Sequence, residues 1–167
     1  AKNSVLPLLA AALLCRGTVR LRAVPALSDV ECCLALLRGA GCDARRQGAD
    51  VVVSGTPVCS TLPGDAAARM RASILFCAPL LARLGRAETS LPGGCNIGAR
   101  PIDLHLEGLA RMGAKELDAG AGKLVLAAPG GLHGADITLR FPSVGATETL
   151  LLAAVCARAT TVLRGAA

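Results

Sequence analysis

The chain has no tryptophan, no tyrosine and two phenylalanines. It therefore has no set of aromatic faces on which nucleic-acid bases could stack. It has two histidines and no Cys-x-x-Cys pair among its eight cysteines. That argues against a zinc centre, and no metal is expected. No long apolar run is present either. The longest, Val5–Cys15, is well short of the ~20 residues needed to span a membrane. With Lys2 ahead of it the run imitates a signal-peptide core, and Leu13-Leu14-Cys15 imitates a lipoprotein site without the small residue that should precede the cysteine. A buried helix is the expected reading. Basic residues outnumber acidic ones by 18 to 12, yet they form no block. The net charge of +6 is expected to serve small anionic ligands or solvation, with no nucleic acid and no membrane as partner. A chain this rich in thiols without a disulfide framework is expected in the reducing cytoplasm.

What is present is mostly apolar. Hydrophobic residues make up 53% of the 167, and mean hydropathy is +0.54. Such a length and composition can bury the core of one domain. The chain also repeats itself. Arg16, Arg86 and Arg158 align at steps of 70 and 72 residues, each between an apolar helix and a strand. In the first two copies a second helix follows and ends in a glycine turn, at Gly41 and Gly113, again 72 residues apart. This period fits a βαβαββ building block, with units near 1–69, 70–141 and 142–167, the third cut short. Helices are expected over Val5–Leu14, Ala72–Leu84 (interrupted by Pro79) and from Ser28, where Ser28 and Glu31 suggest a capping box. Val30, Cys33, Leu34 and Leu37 form one helical face, as do Ile102, Leu106 and Leu109. Strands are expected at Val19–Val24, Val51–Ser54, Lys123–Ala127 and Asp136–Phe141.

The chemistry concentrates in Ser90–Asp103, which reads Ser-Leu-Pro-Gly-Gly-Cys-Asn-Ile-Gly-Ala-Arg-Pro-Ile-Asp. Cys95 stands in a glycine-rich stretch five residues before Arg100, whose guanidinium fork suits phosphate or carboxylate. Nearby cations would lower the thiol pKa and make it reactive. Pro101 and Asp103 suit the first turn of a helix. Lys2 and Asn3 stand before the first expected helix, and Arg71 holds the equivalent place in the second copy. Ser143 suits the cap of a third helix, where free N–H groups could hold phosphate. A lone histidine on a helix, His105, reads as structural.

Ala1-Lys2-Asn3, Met70-Arg71-Ala72-Ser73, the Cys95 run and Ser143-Val144-Gly145-Ala146-Thr147 together resemble the UDP-N-acetylglucosamine enolpyruvyl transferases (1-carboxyvinyltransferases). The four motifs stand in that family's order and near its spacing, across essentially the whole chain. The resemblance implies an α/β fold of βαβαββ units with helices inside and sheets outside. It implies a cofactor-free transfer of the enolpyruvyl group of phosphoenolpyruvate to UDP-N-acetylglucosamine, the first committed step of peptidoglycan synthesis. Cys95 would be the catalytic residue, as proton donor to phosphoenolpyruvate or in product release, able to form a covalent adduct with phosphoenolpyruvate, and the fosfomycin target. Lys2, Asn3 and Arg100 would hold phosphoenolpyruvate. Arg71, Arg100, Pro101, Ile102, Asp103, Leu104, Phe141, Pro142, Ser143, Val144 and Gly145 would hold the nucleotide sugar. Phe141-Pro142 replaces a Lys-Val found in some members, and Gly113–Leu117 looks one residue short. The chain would be an internal fragment, inactive alone, whose missing second domain carries the base. Shikimate-pathway enolpyruvyl transferases, with Lys-Ser at Lys2-Asn3 and no Pro-Gly-Gly-Cys, are the alternative, as is a non-catalytic nucleotide-sugar-binding module.

Overall fold

The computed structural model describes residues 2–91 and 102–167, without the side chains of Lys2, Asn3 and Arg71. Six α-helices and eight strands follow a repeating order within them. The first unit runs through α1 (Lys2–Ala11), a 3-10 turn (Ala12–Leu14), β1 (Val19–Leu21), α2 (Ser28–Gly39), β2 (Asp43–Gln47) and β3 (Asp50–Ser54). The second has α3 (Gly64–Arg69), a 3-10 turn (Arg71–Ser73), α4 (Ile74–Leu84), β4 (Arg86–Ser90), α5 (Asp103–Arg111), β5 (Lys115–Leu117) and β6 (Lys123–Ala127). Then come β7 (Asp136–Thr138), α6 (Val144–Ala154) and β8 (Val162–Arg164).

Both three-stranded sheets are antiparallel, and in each the last strand lies in the middle: β1-β3-β2 and β4-β6-β5. Segment 60–62 adds to β4 in parallel, through Glu88 N–H to Ser60 O (2.8 Å) and Leu62 N–H to Glu88 O (2.9 Å). β7 and β8 repeat that parallel pairing around α6. From segment 60–62 to β6 the topology is the βαβαββ pattern expected from the repeat, while the first unit, as described, begins with α1.

Helices fill the middle. Ile74 through Leu81 of α4 are all buried. A helix apolar on every side belongs inside a fold. It packs on α1, α6 and β4. The sheets turn outward: Ala44 of β2 is buried while Asp43, Arg45 and Gln47 are exposed.

The two glycine turns are built alike. Gly41 and Gly113 have φ of +100° and +97°. Cys42 N–H reaches Leu37 O and Ala114 N–H reaches Leu109 O, both at 3.0 Å. Gly41 N–H bonds Arg38 O at 2.9 Å and Gly113 N–H bonds Ala110 O at 3.0 Å. These are Schellman stops, which need a left-handed residue at that position.

Several local expectations are corrected. α1 begins at Lys2, not Val5, so Lys2 and Asn3 lie in the first turn rather than before it. The capping box does not form. Ser28 is already helical behind an extended Leu27, and Glu31 instead pairs with Arg46 Nε at 2.7 Å. α4 runs through Pro79 without interruption, and the side chains around it supply burial in place of the lost hydrogen bond. The helix is preceded by a 3-10 turn, so it starts at Ile74 rather than Ala72. β1 stops at Leu21 because Ala23 takes φ +53° and donates its N–H to Asp50 Oδ1 at 3.1 Å. β7 stops at Thr138, short of Phe141. The face Val30, Cys33, Leu34, Leu37 is buried as expected, but on α5 the buried residues are Leu104, Gly108 and Leu109, with Ile102 and Leu106 half-buried.

Gly108 explains that rotation. A Cβ there would stand 2.6 Å from Leu150 Cδ1 and 3.0 Å from Leu150 Cγ on α6. The missing side chain is what lets α5 approach α6. Gly108→Ala should therefore destabilise the fold despite the ~1 kcal/mol advantage of alanine in a helix, because overpacking costs roughly 1–3 kcal/mol. A urea midpoint equal to or above that of the parent would refute the close approach.

Candidate functional site

The sequence-identified residues divide into three groups. Cys95, Arg100 and Pro101 lie outside the described residues. Lys2 and Asn3 open α1, and Arg71 opens the 3-10 turn before α4; only their backbone is described. Ile102, Asp103, Leu104, Phe141, Pro142, Ser143, Val144 and Gly145 are placed, and the structure brings their two runs together at the N-termini of α5 and α6.

Two contacts hold these helix ends to each other. Arg140, just beyond β7, donates through Nη2 to Asp103 Oδ2 and to Glu107 Oε1, the latter at 3.0 Å. Asp103 and Glu107 are one turn apart on α5, so they share a face. Asp103 Oδ1 also accepts the Leu104 N–H at 2.9 Å. The Arg140 hydrogen bond holds the Asp103 carboxyl below the usual carboxylate range. The second contact is His105 Nδ1 to Thr149 Oγ1 at 2.8 Å. Thr149 is fully buried.

α6 begins as its sequence suggests. Ser143 has extended φ and ψ (−135°, 115°), and its Oγ accepts the Ala146 N–H at 3.3 Å. The hydroxyl thus takes one first-turn donor, while those of Val144 and Gly145 have no intrahelical acceptor. Val144 is 62% exposed and Phe141 51%. Such an end favours an anion by its donors and its dipole. Phe141 offers an apolar surface beside it, not a cation.

Sequence reasoning passed over Arg140 and Thr149 and set His105 aside. One signal was available for Arg140: the Asp103 and Glu107 pair, spaced i, i+4, needs a cation from elsewhere. Nothing in the sequence pointed to Thr149, since its partner lies 44 residues away.

Three of the other thiols, Cys33, Cys42 and Cys77, are buried and poor competitors for reactivity, whereas Cys15, Cys59 and Cys156 are exposed. Burial pushes Cys33 and Cys77 up to about 12. Cys42 is also raised by burial. Cys33 lies 3.6 Å from the Met70 sulfur, as a small hydrophobe would. Among the described residues, no three or more His, Cys, Asp or Glu side chains gather where they could hold a metal ion. No described helix is long and apolar enough to cross a membrane. Among the described residues, one cleft of about 250 Å³ lies along α5 beside Leu106, Glu107 and Leu126, and another of about 150 Å³ lies beside Thr61 and Lys123.

Comparison with known proteins gives a consistent result. A family model described as EPSP synthase (3-phosphoshikimate 1-carboxyvinyltransferase) matches residues 1–167. UDP-N-acetylglucosamine 1-carboxyvinyltransferase 2 of Carboxydothermus hydrogenoformans is 48% identical over 168 residues, which covers all of this chain and 40% of that protein. The UDP-N-acetylglucosamine 1-carboxyvinyltransferase of Acidiphilium cryptum is 50% identical with the same coverage. The chain thus spans about two fifths of the length of these relatives. Among solved structures, the enolpyruvyl transferase NikO from Streptomyces tendae superposes with a TM-score of 0.84 at 24% identity, over 97% of this chain and 38% of that one. An EPSP synthase from Acinetobacter baumannii gives 0.71 at 19% identity, over 94% and 37%. These two likenesses speak for the fold.

His105 gives this region a pH signature. Burial lowers its pKa from the ordinary 6.5, against a smaller raising effect of Asp103. Below 6.5 the unfolded chain takes up a proton that the folded imidazole resists. Stability should fall as pH drops from there toward the folded value, and it should be fully retained above. Urea midpoints compared on both sides of that value should show a steeper acid loss in the parent than in His105→Asn. Equal slopes would mean the imidazole is not held neutral by burial.

Proposed function

The chain belongs to the EPSP synthase family of carboxyvinyl transferases, and on that premise we propose that the protein containing it transfers the enolpyruvyl group of phosphoenolpyruvate to the 3′-hydroxyl of UDP-N-acetylglucosamine. The observation that carries this reading is the 48–50% identity, along the whole chain, to enzymes named for that nucleotide sugar. The shikimate-pathway alternative has the description of the matching family model and a fold likeness at 19% identity behind it, but the 48–50% identity along the whole chain is to enzymes named for the nucleotide sugar.

In this reading the sugar hydroxyl attacks C2 of phosphoenolpyruvate. The C2–C3 π electrons take a proton from the Cys95 thiol at C3. A tetrahedral adduct follows. Loss of a C3 proton and departure of phosphate from C2 then leave the enolpyruvyl ether. Lys2, Asn3 and Arg100 hold the phosphate and carboxylate of phosphoenolpyruvate. Arg71, Arg100, Pro101 and Ile102 through Leu104 hold the nucleotide sugar on the α5 side, and Phe141 through Gly145 on the α6 side. The paired helix ends support that assignment, since their N–H groups suit a diphosphate. Cations aimed at developing charge in a closed, dry site are the larger catalytic contribution. The base for the hydroxyl, the closing wall and the remainder of the third unit belong, in this proposal, to sequence outside residues 1–167. The work is expected in the cytoplasm, in service of cell-wall synthesis.

The test is phosphate release by the enzyme from the complete reading frame. Phosphoenolpyruvate with UDP-N-acetylglucosamine should give turnover, and phosphoenolpyruvate with shikimate 3-phosphate should not. Fosfomycin should label Cys95 alone, as read by peptide mapping. Turnover with the shikimate acceptor, or labelling at another cysteine, would overturn the assignment.

Arg100→Lys keeps the charge but loses the two-pronged geometry. A lost charge-assisted hydrogen bond costs about 1.5–3 kcal/mol, so kcat/KM should fall roughly 10- to 150-fold. An unchanged kcat/KM would remove Arg100 from the site.

A further inference from the structure

His105 is absorbed by no step of that mechanism, yet it lies between the two helix ends assigned to the nucleotide sugar. Its Nδ1 is bonded to the buried Thr149 hydroxyl at 2.8 Å. The adjoining Cε1–Nε2 edge of the ring faces Gly145, the second residue of α6. A Cβ at Gly145 would stand 3.3 Å from His105 Cε1 and 3.4 Å from Nε2. The imidazole therefore fills the gap between the backbones of α5 and α6 at their first turns. One turn further along α5, Gly108 closes the same interface against Leu150. Two contacts on consecutive turns fix both the separation and the rotation of one helix against the other.

We propose that His105 is a positioning residue, a neutral spacer that sets the distance between the Ile102–Leu104 and Ser143–Gly145 runs and so the width of the seat for the nucleotide-sugar diphosphate. This rests on the nucleotide-sugar reading above. The chemistry of the ring suits the part. It is flat, it is locked by one hydrogen bond, and it fits where Gly145 leaves room. The charged group shown to act on it is Asp103 on its own helix, which Arg140 engages together with Glu107 from the segment leading into α6.

The test uses the enzyme from the complete reading frame and steady-state kinetics with each substrate varied. Thr149→Val removes the hydrogen bond that locks the ring. The KM for UDP-N-acetylglucosamine should rise about tenfold, the size of one lost hydrogen bond. The KM for phosphoenolpyruvate and kcat should stay within about twofold, as should every constant of Thr149→Ser, which keeps the hydroxyl. A general packing defect would instead lower the melting temperature or kcat and leave the two KM values in proportion. That pattern, or an unchanged KM for the nucleotide sugar in Thr149→Val, would overturn the proposal. Should Thr149→Val fail to fold, His105→Asn and His105→Ala carry the same test. Asparagine keeps a polar atom where Nδ1 stands and should raise the nucleotide-sugar KM less than alanine does; equal KM values overturn it. Absence of turnover in the parent enzyme would defeat the nucleotide-sugar reading itself, whereas turnover with unmoved KM values in the variants would defeat the role of His105 alone.

Discussion

A helix with no polar side has to be covered on every side, and α4 is such a helix. From Ile74 to Leu81 every residue is buried, including Pro79. Covering it draws α1 and α6 inward and leaves the strands to form an outer layer. That choice also decides which parts of the helices stay open to solvent. Faces of central helices are used up in packing; their ends are not. The sequence-identified residues that the structure describes accordingly fall at helix N-termini: Lys2 and Asn3 on α1, Ile102 through Leu104 at α5, Ser143 through Gly145 at α6. Arg71, in the short turn leading to α4, fits the same pattern.

Much of this organisation could be read before any coordinates, because it is periodic. The 72-residue step between Gly41 and Gly113 is a backbone requirement, and backbone requirements show as glycine. The buried face of α2 is a helical period of apolar residues. The cap at Ser143 follows from one hydroxyl in the right place. Features that depend on partners distant in sequence were not legible. Ser28 and Glu31 have the spacing of a capping box, but Arg46, on β2, takes the carboxylate. Ile102, Leu106 and Leu109 have the spacing of a buried face, but Gly108 meets Leu150 and turns α5 by part of a turn. Local pattern proposes, and the tertiary neighbour disposes. The chemistry of Cys95 and Arg100 was legible only as sequence, in a stretch beyond the described residues.

The paired ends of α5 and α6 bring the two sequence-identified runs to one interface among the described residues. Arg140 pairs with both Asp103 and Glu107 and offsets one of their two negative charges. Ser143 satisfies one donor of α6 and leaves its neighbours. Phe141 adds exposed apolar surface. Each piece is modest alone. Their common property is that they are referenced to the same interface between two helices, so a shift in that interface moves them all.

The twin helix stops have a consequence for ancestry. Each is defined by a left-handed glycine and by hydrogen bonds among main-chain atoms, the same atoms in every residue. Side chains around such a corner can be exchanged over long lineages while the corner keeps its angle. A duplicated unit can thus drift until its copies share little more than a glycine and a period, and still fold alike. In this architecture shape is inherited through the main chain, and side chains are left free to specialise.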